Sequence, residues 1–203
     1  MSARETDFYQ PFETKFECFD VKHRIYYRSS GLKSHEECTQ NGVYHRNGDL
    51  PARIYYDQNG SKCIEIWYYQ GQVHRDEDRP AIVRYDNNVK ISEQWYQTNN
   101  LHRNYNKPAW ILYDEDGLKV FEKWFKEGKL HREDDLPAHI EYDSNDTIRF
   151  EHWYSNGINC REEEGFASNI EYDEYSVKIF ESWTDHTGVV YKSIHYDTDY
   201  SME

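Results

Sequence analysis

The chain has 203 residues, of which 38 are Asp or Glu and 24 are Lys or Arg, so its formal net charge is −14. This acidic balance disfavours nucleic acid and anionic membranes as partners, because both attract basic surfaces. Mean hydropathy is low, at −1.09, yet 17% of the residues are aromatic. Disordered chains are poor in aromatic residues, so the composition predicts a folded protein with a thin core of Tyr and Trp.

Cysteines and apolar residues are scattered along the sequence. The four cysteines are Cys18, Cys38, Cys63 and Cys160, and none belongs to a Cys-x-x-Cys pair. This spacing does not indicate a disulfide framework, so we expect a reducing, cytoplasmic compartment. No apolar run has the length or position of a signal peptide or a membrane anchor, and neither is expected.

The first 44 residues are predicted to cap and begin a repeat array. Residues 1–18 contain the aromatic side chains Phe8, Tyr9, Phe12 and Phe16. Because terminal units of repeat proteins diverge, we expect this N-terminal cap to cover the first open edge of the array. Residues 19–44 are predicted to form a degenerate repeat, in which Cys38 takes the position of a Trp in the next copy.

Residues 45–190 are predicted to form five copies of a repeat of about 29 residues. All five copies carry a Tyr-Asp pair and a Glu-x-Trp motif, and the first four also carry a His-Arg pair and a Pro-Ala pair, the latter replaced by Phe166-Ala167 in the fifth. The His-Arg pairs are His45-Arg46, His74-Arg75, His102-Arg103 and His131-Arg132, and Cys160-Arg161 replaces them in the fifth copy. The Glu-x-Trp motifs are Glu65/Trp67, Glu93/Trp95, Glu122/Trp124, Glu151/Trp153 and Glu181/Trp183.

Within each copy the apolar residues alternate as they do in β-strands. Ala52, Ile54 and Tyr56 share one face of such a strand. Turn residues follow, as in Asp57-Gln58-Asn59-Gly60, and each copy has a second turn, such as Glu127-Gly128. The predicted fold is therefore all-β: an elongated array of stacked antiparallel β-hairpin repeats in a single twisted sheet or solenoid. Residues 191–203 are predicted to be a last strand and a C-terminal tail.

The repeated histidines raise the question of a metal site. Zinc ligands must all lie within about 2.3 Å of one ion, whereas equivalent side chains in successive hairpins stand roughly 10 Å apart. We therefore expect the His-Arg pairs to form a structural ladder. In that ladder the imidazole stacks on Trp or Tyr of the next repeat, and the Arg pairs with a carboxylate.

The repeated carboxylates allow two further interpretations. Paired carboxylates hydrolyse glycosides, but a Glu that recurs in every copy indicates architecture. We expect each Glu of Glu-x-Trp to accept hydrogen bonds from a neighbouring His-Arg segment. The acidic loops could bind Ca²⁺, but they lack the EF-hand pattern and are expected to be solvated. These loops are Asp76-Glu77-Asp78, Glu133-Asp134-Asp135 and Glu162-Glu163-Glu164. No catalytic residue, cofactor or metal is expected.

The hairpin segment Trp124-Phe125-Lys126-Glu127-Gly128-Lys129 resembles MORN-type repeats of the variant class. The longer unit, with His-Arg, an acidic loop and Pro-Ala, resembles repeat proteins encoded in many copies by large DNA viruses of amoebae. The resemblance covers residues 27–183. It implies stacked antiparallel hairpins with roles in scaffolding, protein contacts and membrane association.

These observations predict a non-enzymatic repeat scaffold that mediates protein–protein interaction. Its sharper form is a virus-encoded structural or virion-associated protein, located in the host cytoplasm or the virion. The expected partners are other proteins, including a capsid or further copies joined through the array ends. Two alternatives stay open: a carbohydrate-active or carbohydrate-binding protein that uses the Trp/Tyr face, and a membrane-associating scaffold, which the net charge disfavours.

Overall fold

The computed structural model describes residues 8–9 and 20–197. The chain divides into two compact units, Met1–Asn100 and Leu101–Glu203. The described residues form only β-strands and turns, so the predicted all-β array of antiparallel hairpins is confirmed. The N-terminal cap, apart from the backbone of residues 8–9, lies outside the described residues, as does the end of the tail.

The first unit contains an antiparallel sheet in hairpin order. Its strands are β1 (Phe8–Tyr9), β2 (Val21–Tyr27), β3 (Lys33–Gln40), β4 (Val43–Tyr44), β5 (Arg53–Tyr56), β6 (Lys62–Ile66), β7 (Tyr68–Tyr69), β8 (Gln72–Val73), β9 (Ile82–Asp86), β10 (Val89–Gln94) and β11 (Tyr96–Gln97). The sheet order is β1-β2-β3-β5-β6-β9-β10, with β4 paired to β3, while β7 and β8 form a separate small hairpin. The short β12 (Asn100–Leu101) contains the division between the units.

The second unit repeats the same plan. Its strands are β13 (Trp110–Tyr113), β14 (Lys119–Lys123), β15 (Phe125–Lys126), β16 (Lys129–Leu130), β17 (His139–Tyr142), β18 (Ile148–His152), β19 (Asn169–Tyr172), β20 (Lys178–Thr184) and β21 (Val190–His195). The sheet order is β13-β14-β17-β18-β19-β20-β21, and β15 pairs with β16 alone. Each repeat thus adds two main strands, and the short returning segment predicted from the sequence becomes a second, small hairpin.

The turns follow from the residues that the sequence places in them. At Glu127-Gly128 both residues have positive φ, 50° and 80°, which is the type I′ geometry that fits the twist of a hairpin. The larger turns are held by an Asp side chain. Asp143 Oδ1, for example, accepts the backbone N–H groups of Asn145 and Thr147 at 2.8 and 3.1 Å. Asp and Asn side chains commonly support turns in this way.

The core is thin and lies on one face of each sheet. In the second unit, Trp124, Ala138 and Ile140 form a buried cluster against which partly buried Tyr142 and Tyr154 pack. Ala138 has no exposed surface, because it is enclosed in this cluster with the indole of Trp124. Small Ala and large Trp therefore alternate along the core. The Tyr hydroxyl and Trp N–H groups lie at the boundary of the core, while the apolar parts of the rings are inside it. This arrangement explains how a chain of such low mean hydropathy folds.

Candidate functional site

The indole of each Glu-x-Trp motif is bonded to a loop that precedes it in the chain. Trp124 Nε1 donates a hydrogen bond to the carbonyl oxygen of Asn106 at 3.0 Å. The guanidinium carbon of Arg132 stands 3.8 Å from the centroid of the Trp124 ring. Arg132 Nε donates to Asn106 Oδ1 at 3.2 Å. We call this group of three residues a node. Arg132 covers the face of the Trp124 indole, and Asn106 accepts the hydrogen bond from its N–H.

The same node recurs in both units with a carboxylate in place of the amide. It consists of Trp67, Asp49 and Arg75 in the first unit, and of Trp153, Asp135 and Arg161 in the second. Arg75 binds the Asp49 carboxylate through two hydrogen bonds of 2.8 Å. These bonds, followed by the charges of Arg75 and Arg79, lower the pKa of Asp49 in spite of its partial burial. The predicted pairing of Arg with a carboxylate is thus present, but Arg rather than His covers the Trp ring.

The two remaining indoles keep the same bond to a preceding loop. Trp95 Nε1 donates to the carbonyl oxygen of Asp78 at 3.0 Å, and Trp183 Nε1 donates to that of Gly165 at 3.1 Å. At Trp183 the cation over the ring is Lys192 of β21, whose Nζ stands 3.9 Å from the ring centroid. No His-Arg pair follows Cys160-Arg161 in the sequence, and the last strand supplies a Lys where a further copy would supply an Arg.

Burial places all five indoles in the core. Trp95 is 6% exposed and Trp183 is 7% exposed, and the other three lie between 5% and 8%. The Trp side chains therefore do not form the open face that the carbohydrate alternative requires of them. The indoles pack against small residues, as Trp124 packs with Ala138 and Trp153 with Ala167. The backbone holds the same neighbours together in the first unit, where the N–H of Trp67 donates to the Ala81 carbonyl oxygen at 2.8 Å.

The Arg of each His-Arg pair also binds the Pro-Ala marker of its own copy. The guanidinium donates to the carbonyl oxygen of the Pro that lies five residues later, at 3.1–3.3 Å. These pairs are Arg46–Pro51, Arg75–Pro80, Arg103–Pro108 and Arg132–Pro137. The bond closes the acidic loop between the two markers, which explains why His-Arg and Pro-Ala occur together.

Two of the acidic loops, Asp76-Glu77-Asp78 and Glu133-Asp134-Asp135, contain acidic residues with left-handed backbone. In the loop Glu133–Leu136 the two central residues, Asp134 and Asp135, have φ of 62° and 50°. Leu136 N–H donates to the Glu133 carbonyl oxygen at 3.4 Å, and the indole of Trp153 binds the Asp135 carbonyl oxygen at 2.9 Å. Asp, Asn and Gly tolerate this conformation. The composition of these loops therefore has a structural cause, besides any role in binding.

The repeated histidines bond within their own neighbourhood and do not converge. His102 Nδ1 accepts the backbone N–H of Glu127 at 3.3 Å, so its Nε2 carries the proton that meets Asn104 Oδ1 at 3.0 Å. His45 makes the equivalent bonds to Gln70 and Asn47. Each of these two imidazoles ties a loop position to a later small turn. The expected stacking occurs as an edge contact between His45 and Tyr69, with ring centroids 5.5 Å apart.

The prediction that the repeated Glu accepts hydrogen bonds from a His-Arg segment is wrong. Glu122 accepts a hydrogen bond of 2.7 Å from the hydroxyl of Tyr142 in the next repeat and pairs with Lys119 at 3.0 Å. Corresponding Tyr–Glu bonds occur at Tyr56–Glu36, Tyr85–Glu65, Tyr172–Glu151 and Tyr196–Glu181, and Glu93 pairs with Lys90. The Tyr of the Tyr-Asp marker reaches Glu from the next strand, whereas the Arg stays with the indole. Burial and the hydrogen bond to Glu65 raise the pKa of Tyr85 to about 12, so this hydroxyl stays a donor.

Glu122→Ala is expected to lower the free energy of unfolding by about 1–3 kcal/mol, because it leaves the half-buried Tyr142 hydroxyl without an acceptor. Lys119 is 40% exposed and can be hydrated, so its lost ion pair adds less than about 1 kcal/mol. A urea-denaturation double-mutant cycle with Tyr142→Phe should recover most of the loss. A cycle with Arg132→Met should show no coupling. If Glu122 were coupled to Arg132 and not to Tyr142, the result would support the contact between Glu and the His-Arg segment that the sequence predicts.

One polar cluster does not repeat. His139 on β17 and His152 on β18 are cross-strand partners with ring centroids 5.2 Å apart. Glu141 lies two residues along β17, so its side chain leaves the same face. The nitrogen and oxygen atoms that these three side chains offer all lie within 4.8 Å of one another. His139 Nε2 is 3.0 Å from Glu141 Oε1 but is not aligned with it, and this buried nitrogen has no hydrogen-bond partner.

A chain of amides fixes the tautomer of His152. Asn159 Nδ2 donates to the backbone carbonyl oxygen of Trp153 at 3.0 Å and to Asn169 Oδ1 at 2.8 Å. The carbonyl identifies the amide nitrogen of Asn159, and Asn159 in turn identifies the oxygen of Asn169. That oxygen also lies 2.8 Å from His152 Nδ1, which must therefore carry the proton. Nε2 of His152 is left with its lone pair free to accept.

The electrostatics of the cluster keep its most buried imidazole neutral. Burial, and after it the charges of Lys123 and His152, lower the pKa of His139 to about 3. Burial also lowers the pKa of Lys123, which is the cross-strand partner of His139 on β14. The cluster therefore combines two imidazoles and one carboxylate within 4.8 Å of one another, with Lys123 on the adjacent strand.

No family model, curated protein or solved structure matches the chain. Function must therefore be inferred from the chain's own contacts and charges.

Sequence reasoning missed the His139 cluster because it searched for residues that repeat. The corresponding cross-strand pairs in other copies are Arg53/Ile66, Ile82/Gln94, Trp110/Lys123 and Asn169/Ser182. These positions vary in chemistry from copy to copy, while Glu-x-Trp stays constant. The sequence does show that the residue type at these positions changes from copy to copy. A site that occurs in one repeat only must use such variable positions.

The described cysteines offer no disulfide. Cys38, Cys63 and Cys160 are free thiols, and Cys18 lies outside the described residues. Cys38 is buried, and its backbone N–H donates to the Ala52 carbonyl oxygen, as that of Trp67 does to Ala81. Burial raises the pKa of the Cys38 thiol. Cys38 thus fills the core position of a Trp and is kept in its unreactive form.

Proposed function

We propose that the chain is a non-enzymatic repeat scaffold that binds basic, partly apolar segments of other proteins along the edge formed by its acidic turns. The observation that carries the proposal is the pairing of exposed carboxylates with exposed apolar side chains at that edge. We define the acidic edge as residues 133–136 and 162–166 of the second unit. Its partner would meet a surface of fixed shape, because the turns are held by the indole and Arg nodes.

The acidic edge combines charge and apolar surface. Glu133 and Asp134 are exposed, and the following Leu136 is 39% exposed. Glu162, Glu163 and Glu164 are exposed, and the following Phe166 is 52% exposed. Successive turns are separated by two strands, or roughly 10 Å. An extended peptide with a basic residue and an apolar residue in each such interval would match this surface in charge and contact.

The repeated Glu residues favour a scaffold over an enzyme. Each Tyr–Glu contact uses the carboxylate for stability, as Glu122 does with Tyr142 and Lys119. The Glu side chains recur roughly 10 Å apart along the sheet, so neighbouring ones do not flank a single bond as a glycosidase pair does. A carbohydrate platform would also need exposed ring faces. The indoles of the five Glu-x-Trp motifs are core residues and offer no such face.

The proposed location rests on the resemblance found in the sequence. Within the part of the chain that the structure describes, there is no helix with the length and hydrophobicity that a bilayer crossing demands. The resemblance to MORN-type repeats and to repeat proteins of large DNA viruses supports a virus-encoded structural protein of the host cytoplasm or the virion. Under that proposal the partner is a capsid protein or another protein with basic segments.

The exposed Val190 and Tyr191 of the last strand, β21, would serve self-association.

Neutralising the acidic edge is expected to weaken binding of a labelled peptide of repeated Lys-Lys-Leu about tenfold or more at low salt. The test variant carries Asp134→Asn, Glu162→Gln, Glu163→Gln and Glu164→Gln. Four rim charges, each contributing up to about 1 kcal/mol, account for an effect of this size. Fluorescence anisotropy measures the affinity, and the difference should shrink as salt screens the charges.

The control removes the same charge at the other ends of the strands. It carries Glu115→Gln, Asp116→Asn, Asp146→Asn and Glu174→Gln, all at exposed turn positions. This variant should bind within about threefold of the wild type, because the total charge is equal and only its position differs. Equal weakening by both variants would show that binding follows net charge and not the acidic edge. Absence of binding by the wild type would refute the proposed partner chemistry.

A further inference from the structure

We propose that His139, Glu141 and His152 form a binding site for a divalent transition-metal ion, with Zn²⁺ as the best match. The three side chains project from one face of the β17–β18 hairpin. They are the group of His and Glu residues in the described chain whose ligand atoms come within 4.8 Å of one another. This site is independent of the acidic edge and of the repeated His-Arg pairs.

The donor set suits zinc. Two imidazole nitrogens and one carboxylate oxygen are the ligands of many zinc sites that keep a position open. A zinc ion about 2.0–2.2 Å from each ligand holds the ligand atoms about 3.4 Å apart. His139 Nε2 and Glu141 Oε1 are already 3.0 Å apart. No separation in the group exceeds 4.8 Å, so the three ligand atoms lie within about 1.4 Å of the spacing that zinc requires.

The hydrogen bonds around His152 prepare it as a ligand. Its Nδ1–H is held by Asn169 Oδ1, which leaves Nε2 as the free donor of an electron pair. Asn169 is held in turn by Asn159 and by Ser182 Oγ at 3.0 Å. Metal-binding histidines are commonly oriented by such a bond from the other ring nitrogen, and its loss costs about 10–100-fold in metal affinity. A hydrogen-bond chain ending on a backbone carbonyl therefore orients the ligand.

Aromatic rings flank His139 and His152, and the buried Nε2 of His139 has no hydrogen-bond partner. The Phe121 ring meets His139 edge-on, with centroids 5.9 Å apart, and Phe150 stacks parallel to His152 at 6.0 Å. These apolar rings cannot accept or donate a conventional hydrogen bond to Nε2. Burying an unsatisfied ring nitrogen costs free energy. Coordination of a metal by Nε2 removes that cost.

Lys123 is expected to weaken the binding of the metal ion. It is the cross-strand partner of His139, and its ammonium group lies over the Phe121 ring at 4.6 Å. A positive charge at this place repels a cation, and the effect is strong where burial reduces solvent screening. Glu141 offsets part of this repulsion. The geometry therefore points to an exchangeable ion on three protein ligands, in contrast to a closed four-ligand structural zinc.

The test titrates the chelator-treated full chain with Co²⁺ and then displaces it with Zn²⁺. The wild type is expected to show visible absorption of coordinated Co²⁺ at one ion per chain, and no competition from Mg²⁺, which prefers oxygen ligands. Glu141→Gln and His152→Gln should each weaken Co²⁺ and Zn²⁺ binding at least about tenfold. Asn169→Ala should weaken it about 10–100-fold, and Lys123→Met should tighten it.

The matched control is His102→Gln, which removes an imidazole that already has two hydrogen-bond partners. It should leave the Co²⁺ spectrum and affinity unchanged. Glu141 is 42% exposed, so Glu141→Gln is expected to fold, and circular dichroism verifies this for every variant. The proposal fails if the wild type binds no Co²⁺ with a defined spectrum. It fails equally if the Glu141 and His152 variants bind as the His102 variant does.

Discussion

Trp124→Ala is expected to lower the free energy of unfolding by about 3–5 kcal/mol, the usual cost of removing a buried aromatic ring. The indole is 5% exposed and packs against Ala138 and Ile140. Its loss also frees the carbonyl oxygen of Asn106 and removes the ring on which Arg132 lies. Urea denaturation followed by circular dichroism measures the change.

Two variants separate the parts of this effect. Trp124→Phe keeps most of the ring and removes the N–H donor, so it should cost less, about 1–2 kcal/mol. Tyr105→Ala removes an aromatic ring that is 84% exposed and should change stability by less than about 0.5 kcal/mol. If Trp124→Ala were no more destabilising than Tyr105→Ala, the node of Trp124, Asn106 and Arg132 would have no part in holding the fold.

Acidification is expected to remove about 3 kcal/mol of stability through Glu36 alone. This carboxylate is 6% exposed and accepts hydrogen bonds from Lys33, His23 and Tyr56. Burial by itself raises the pKa of Glu36, but these bonds outweigh burial and lower it from 4.5 to about 2. A carboxyl group whose folded pKa is depressed stabilises the protein fully above its unfolded pKa. The contribution is lost as the pH falls from about 4.5 to about 2.

Comparison with Glu36→Gln isolates this residue from the other carboxylates. The stability difference between wild type and variant should be largest at about pH 6 and should shrink by about 3 kcal/mol by about pH 2, because the amide does not titrate. Denaturant unfolding at closely spaced pH values gives the curve. Glu174→Gln, at an exposed turn position, should differ from the wild type by a constant amount. A pH-independent difference for Glu36→Gln as well would contradict the assignment.

The contacts of the repeated residues explain why the markers recur from copy to copy. Arg132 joins the indole of one copy to the loop of that copy, although it belongs to the next one. Tyr142 likewise bonds a Glu of the preceding copy. The Arg and Tyr of the markers therefore act across the boundary between copies, and a copy without its neighbour would lose the Arg that covers its indole. Such nearest-neighbour stabilisation is typical of repeat proteins.

The strands and turns could be predicted from the sequence, because they depend on local chemistry. Alternation fixed the buried face of Ala138 and Ile140, and Gly and Asn at positions of positive φ fixed turns such as Glu127-Gly128. The 29-residue spacing also located the copies, including the Cys38 position in the Trp register. Each of these features involves residues that are neighbours along the chain or equivalent under the repeat.

The side-chain contacts across strands could not be predicted from the sequence, because they depend on how the strands pair. Glu122 pairs with Tyr142 and not with Arg132, because strand register places Ile140 opposite Glu122 and brings the Tyr to its carboxylate. The meeting of His139 with His152 likewise depends on the β17–β18 register. A shift of one residue would send either side chain to the opposite face. Register is fixed by the turns and the core acting together, so no spacing in the sequence states it.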